Sequence, residues 1–104
     1  MASAVANRYA RALVDVVLQA GSPIKPEEAV AQLRAVEQML AGSWELRNAL
    51  TTPAIQTSRK RAVMGKLLEE IQASRLIRNF TFVVIDHRRT GMIGEIREAF
   101  ELLV

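Results

Sequence analysis

A chain of 104 residues is long enough for one domain with a single core, and with half of those residues hydrophobic it does not belong to the disordered class. The absence of cysteine excludes a disulfide framework and thiolate metal sites, the single His87 cannot form a histidine-based metal cluster, and the longest apolar run, Phe82 to Ile85, falls far short of the roughly 20 residues that span a bilayer. The net charge of +3 arises from fourteen Lys and Arg interspersed with eleven Asp and Glu, without the contiguous basic stripe that nucleic-acid binding demands.

In chain order, Ser3 is placed to cap a first helix in which Val5, Tyr9, Ala12 and Val16 form one stripe and Ala6, Ala10, Leu13 and Val17 a second beside it. Gly21 is expected to end it. A second helix starts with Pro26 at its first position and Glu27 and Glu28 complementing the dipole, and Val30, Leu33, Val36 and Leu40 carry its apolar face to Gly42. Ser43 caps a short third helix through Trp44, Leu46 and Leu50, stopped before Pro53 because the residue preceding proline is pushed out of the helical region. The fourth begins at Thr57 or Ser58, with Val63, Met64, Leu67, Leu68 and Ile71 inward and Lys60, Lys66, Glu69 and Glu70 outward. Ser74 caps the fifth, Gly91 is placed to end it, and Ile93, Ile96, Phe100 and Leu103 mark a sixth.

The stretch "FTFVVI", Phe80 to Ile85, has the strongest strand propensity in the chain. No second convincing strand exists to pair with it, and an isolated strand leaves its backbone unsatisfied. Leu76, Ile77, Phe80, Val84 and His87 follow at helical steps. The expected fold is therefore all-α, a bundle of about six helices. A fifth helix that is apolar all round needs cover on every side, from the bundle or from something outside it. Phe80 and Phe100 are expected in the core. The chain stops at Val104 inside the sixth helical pattern, which suggests a fragment of a longer protein.

Chemistry is sparse. Gly65-Lys66 lacks the first glycine and the Ser or Thr of a phosphate loop. Asp86 and His87 are helix neighbours whose side chains point about 100° apart, so they do not make an acid–base pair. No catalytic, cofactor or metal residue is expected. The basic triplet Arg59-Lys60-Arg61 reads as a solvated helix start, and the opening "MASAVANRYARAL" carries no signal cleavage pattern, which favours a soluble intracellular protein.

Asn7-Arg8-Tyr9-Ala10-Arg11-Ala12-Leu13 resembles the opening of the delta subunit of bacterial F-type ATP synthase, a family similar to the mitochondrial oligomycin-sensitivity-conferring protein. "LRNALTTPAIQTSRKRAVMGKLL" and "LIRNFTFVVIDHRRTGMIGEIREAFELL" resemble later family segments in the same order. Where many members carry Glu-Asn-Gly-Arg, this chain has Asp86-His87-Arg88-Arg89, of which Asp86 and Arg89 map onto the pattern. The resemblance implies that residues 1–104 form a six-helix N-terminal domain, with the C-terminal domain that engages the b subunits absent from this chain. It implies a non-catalytic stator adaptor whose first and fifth helices grip the N-terminal helices of alpha subunits, holding the catalytic head against rotor torque during proton-driven ATP synthesis. Tyr9, Ala12, Val16, Val83 and Arg89 are the matching partner-binding positions. The implied setting is the cytoplasmic face of the bacterial inner membrane, with membrane contact only through the complex, no cofactor and no nucleic acid. The rival reading is a small basic helical nucleic-acid-binding module using Arg8, Arg11, Arg59, Lys60, Arg61, Arg88 and Arg89.

Overall fold

Three serines open helices in the same way. In the computed structural model, which describes residues 2–104, the hydroxyls of Ser3, Ser43 and Ser74 accept hydrogen bonds from the N–H groups of Ala6, Leu46 and Ile77 at 3.1, 3.1 and 3.3 Å. Each satisfies a backbone donor that the first helical turn would leave orphaned. The helices are α1 (Ala4–Val17), α2 (Pro26–Gly42), α3 (Trp44–Thr51), α4 (Thr57–Glu70), α5 (Arg75–Asp86) and α6 (Ile93–Leu103), with a turn of 3₁₀ helix at Thr90–Met92. No strand occurs among the described residues, so the all-α expectation holds.

Two helices end differently from expectation. α1 stops at Val17, before Gly21, which instead takes φ +82° in a turn where the Ser22 N–H bonds to the Gln19 carbonyl. α5 stops at Asp86, and Gly91 lies in the 3₁₀ turn. The left-handed residue that closes α5 is Arg88, at φ 58°, whose N–H bonds to the Ile85 carbonyl while the Arg89 N–H bonds to that of Val84. α4 closes in the same manner, through Gln72 at φ 55°, with Gln72 N–H to Glu69 and Ala73 N–H to Leu68. Both are Schellman caps built without glycine.

The centre of the packing is α6, set against α1 and α2, with Ile93, Ile96, Ala99 and Phe100 buried. α4 lies against α5, and α2 touches α3 and α5. Leu103, on the expected apolar stripe of α6, is 42% exposed, whereas Ala99 is buried. Trp44 and Val63 also stand exposed. Lys60, expected outside, is buried. It lies four residues before Met64 and eight before Leu68, on the helical face that packs into the bundle.

Side chains clamp the elements together. The Ser3 N–H donates to Glu95 Oε1 at 3.0 Å, joining the start of α1 to α6, and the Ser74 N–H donates to Gln32 Oε1 at 2.8 Å, joining the start of α5 to α2. Arg47 closes the end of α2 by donating to the Leu40 and Ala41 carbonyls at 2.6 and 2.8 Å. Between α2 and α6, Arg97 holds both oxygens of Glu37 at 3.0 and 3.1 Å, and Glu101 bridges Arg97 and Arg34. Hydrogen bonding to Glu37 raises the Arg97 pKa above its already high ordinary value. A Cβ at position 94 would sit 2.7 Å from Glu37 Oε2, so Gly94 makes the room this carboxylate occupies.

Candidate functional site: a groove between two helices

The two stripes of α1 separate cleanly. Ala6, Ala10, Leu13 and Val17 are buried in the bundle, whereas Val5 and Tyr9 are half-buried and Ala12 and Val16 exposed. α5 divides likewise: Ile77, Thr81, Val84 and Ile85 face inward, while Leu76 and Phe80 are half-buried and Val83 is 43% exposed. The strand-prone residues are thus helical, and the Thr81 hydroxyl is satisfied within its own helix, donating to the Ile77 carbonyl at 2.8 Å. Tertiary packing overrides local propensity here.

The outward stripes face each other across an open groove of about 800 Å³. Val5, Tyr9, Ala12 and Val16 line it from α1, and Leu76, Asn79, Phe80 and Val83 from α5. Tyr9 forms its floor, edge-on to Phe80 with ring centroids 6.5 Å apart and edge-on to His87 at 6.3 Å. Such perpendicular aromatic pairs contribute about 0.5 to 1.5 kcal/mol beyond area burial. His87 is held by a 2.9 Å hydrogen bond between Nδ1 and the Val83 carbonyl, which keeps its ring on the groove wall.

Charge in the groove has one sign. Arg8 and Arg89 line it, and neither takes part in an ion pair among the described residues. Asp86, the adjacent carboxylate, is held instead by Arg61 through two hydrogen bonds of 3.1 and 2.7 Å. Asp86 and His87 therefore have separate partners.

All five residues singled out from the sequence, Tyr9, Ala12, Val16, Val83 and Arg89, line this one groove. Phe80, expected in the core, lines it too, while Phe100 is fully buried. The spacing of Leu76, Phe80, Val83 and His87 carried the signal for that wall, but Phe80 also shares a stripe with Val84, which is buried, and that spacing placed it in the core. The basic triplet is divided by the fold. Arg59 is exposed, Lys60 is buried and Arg61 is paired with Asp86, so it offers no continuous stripe. Among the described residues no three His, Cys, Asp or Glu side chains gather where a metal could sit, and no helix is long and apolar enough to cross a membrane.

Residues 5–104 match the family model for the ATP synthase delta (OSCP) subunit. The chain is 37% identical over 100 residues to ATP synthase subunit delta of Koribacter versatilis, covering 96% of this chain and 55% of that protein. It is 36% identical over 102 residues to that of Trichlorobacter lovleyi, covering 97% and 54%, and 29% identical to that of Syntrophus aciditrophicus, covering 98% and 55%. The chain thus spans about half the length of these relatives. A match that runs from the first turn of α1 to the end of α6 shows that the chain belongs to the ATP synthase delta (OSCP) subunit family.

Proposed function

We propose that this domain is a non-catalytic adaptor of the peripheral stalk of an F-type ATP synthase, and that the groove between α1 and α5 receives the N-terminal helix of an alpha subunit. The observation that carries the reading is the pair of apolar stripes left uncovered on facing helices, with Val16 and Val83 both more than two-fifths exposed. A groove of this kind suits an amphipathic helix that anchors by residues at three- and four-residue spacing. Ala12 permits close backbone approach, and Tyr9 supplies apolar area and a hydroxyl. Holding a catalytic head against torque calls for slow dissociation, which apolar burial provides better than exposed salt bridges at ~0 to 1 kcal/mol each. In this reading a C-terminal domain, the other part of the subunit, engages the b subunits. The complex sits on the cytoplasmic face of the bacterial inner membrane, and the adaptor reaches the membrane only through it.

The test is an NMR titration of the labelled chain with a synthetic peptide of the alpha subunit's N-terminal segment at two ionic strengths. Saturable shifts along Tyr9 to Val16 and Phe80 to Arg89, little changed by salt, are expected. Val83→Asp places a carboxylate on the apolar wall and should weaken binding at least about tenfold, or about 1.4 kcal/mol, while helical content stays at the wild-type level. A folded chain that shows no shifts sinks the reading. Loss of folding in the variant instead assigns Val83 to the core.

A further inference from the structure

On the other side of Val83, α5 borders another cleft of about 480 Å³, lined by Arg61, Arg75, Arg78, Asn79, Phe82 and Val83. Asn79 and Val83 line both clefts, so a single row of α5 residues separates them. The guanidinium groups of Arg61 and Arg78 lie over the Phe82 ring, 5.1 and 5.4 Å from its centroid. Arg61 is further fixed by Asp86 at 2.7 Å. Arg75 and Arg78 have no ion pair among the described residues.

The helix dipole does not account for these two arginines, although the stack on Phe82 contributes locally at Arg78. Cations near a helix N-terminus oppose the dipole, and the first turn of α5 holds no acidic residue to offset them. The backbone there is already capped by Ser74. The two arginines form a basic surface in which Phe82 restricts Arg78 and so lowers the entropy lost when its fork meets a carboxylate.

We infer that this cleft binds an acidic peptide segment continuous with the helix seated in the neighbouring groove, so that one polypeptide fills the apolar groove and places its carboxylates across Val83 onto Arg75 and Arg78. The inference rests on the groove's taking a helix. Charge complementarity calls for an anionic ligand, and the wall shared with an apolar groove favours a peptide over a nucleic acid. The Phe82 ring already carries two guanidinium groups, which a stacking base would have to displace.

The experiment titrates the chain with two amphipathic peptides sharing one apolar face, one ending in Glu-Glu-Asp-Glu and the other in Gln-Gln-Asn-Gln, and separately with the acidic tetrapeptide and a short single-stranded oligonucleotide. The Nε–H signals of Arg75 and Arg78 report the cleft, and the amides of Tyr9, Ala12 and Val16 report the groove. Expected is about fivefold tighter binding of the acidic-ended peptide at low ionic strength, with the Arg75 and Arg78 signals moving and the advantage vanishing in the Arg75→Gln/Arg78→Gln double variant. Equal affinities with the groove occupied overturn the cleft while leaving the groove standing. Shifts at Arg75 and Arg78 from the tetrapeptide, with a silent groove, uphold acidic recognition there and refute its continuity with the groove. Stronger binding of the oligonucleotide than of either peptide overturns the peptide assignment.

Discussion

At the scale of single residues, the two left-handed positions carry the clearest unspent stability. Gln72 and Arg88 occupy φ 55° and 58°, a region where a Cβ crowds the following carbonyl. Each is kept there by its Schellman hydrogen bonds. Glycine would relieve that crowding, costing about 1 to 2 kcal/mol in the native state, against its own larger unfolded-state entropy of about 0.5 to 1 kcal/mol. Gln72→Gly is therefore expected to stabilise by about 0.5 to 1 kcal/mol, seen as a higher denaturation midpoint at unchanged slope. Gln72→Ala keeps the Cβ and should gain nothing. The position lies outside the groove, so peptide binding should be unaltered. No composition signal marks such a site: Gln and Arg are ordinary helix formers, and the available glycine, Gly91, pointed to the wrong residue. The serine caps were legible because a hydroxyl ahead of an apolar stripe has one dominant use.

At the scale of the element, α1 presents two alanine-bearing stripes that composition alone cannot rank. Ala10 is wholly buried and Ala12 is exposed on the groove. Enlarging the two should therefore have opposite consequences. Ala10→Leu overpacks the contact with the bundle and should cost about 1 to 3 kcal/mol. Ala12→Leu should leave stability within about 0.5 kcal/mol of wild type, yet obstruct close approach of a partner helix and weaken its binding. Thermal unfolding and peptide titration of both variants separate the effects; equal destabilisation would show that Ala12 also packs in the bundle. The sequence revealed both stripes of α1 by periodicity, and it revealed α5 as a helix by the lack of any strand partner. Periodicity alone did not reveal which stripe faces inward; the family resemblance did, by turning Tyr9, Ala12 and Val16 toward a partner. That choice depends on where α6 lies, a long-range fact that no window of adjacent residues contains.

At the scale of the whole molecule, α6 decides the architecture, packing on both α1 and α2 while α1 and α5 remain apart enough to leave the groove. Its Phe100 is fully buried, and the ion pairs of Arg97 and Arg34 fasten it to α2 from the outside. Phe80, the other phenylalanine assigned to the core by spacing, bridges the helices that α6 does not bring together: it touches Tyr9 edge-on and borders open space. Alanine at the two positions should therefore separate fold from function. Phe100→Ala should cost about 3 to 5 kcal/mol, a large share of the roughly 5 to 15 kcal/mol typical of a folded domain. The groove would be lost with the bundle that shapes it. Phe80→Ala removes a half-buried ring and should cost about 1 kcal/mol, leaving a folded chain with its Tyr9 support gone on one side. In the peptide titration that variant should show native-like spectra away from the groove and markedly weaker binding. If instead both variants unfold to the same extent, Phe80 is a structural residue and the groove is a by-product of packing; if Phe80→Ala binds as wild type does, the aromatic floor is not what the partner helix grips.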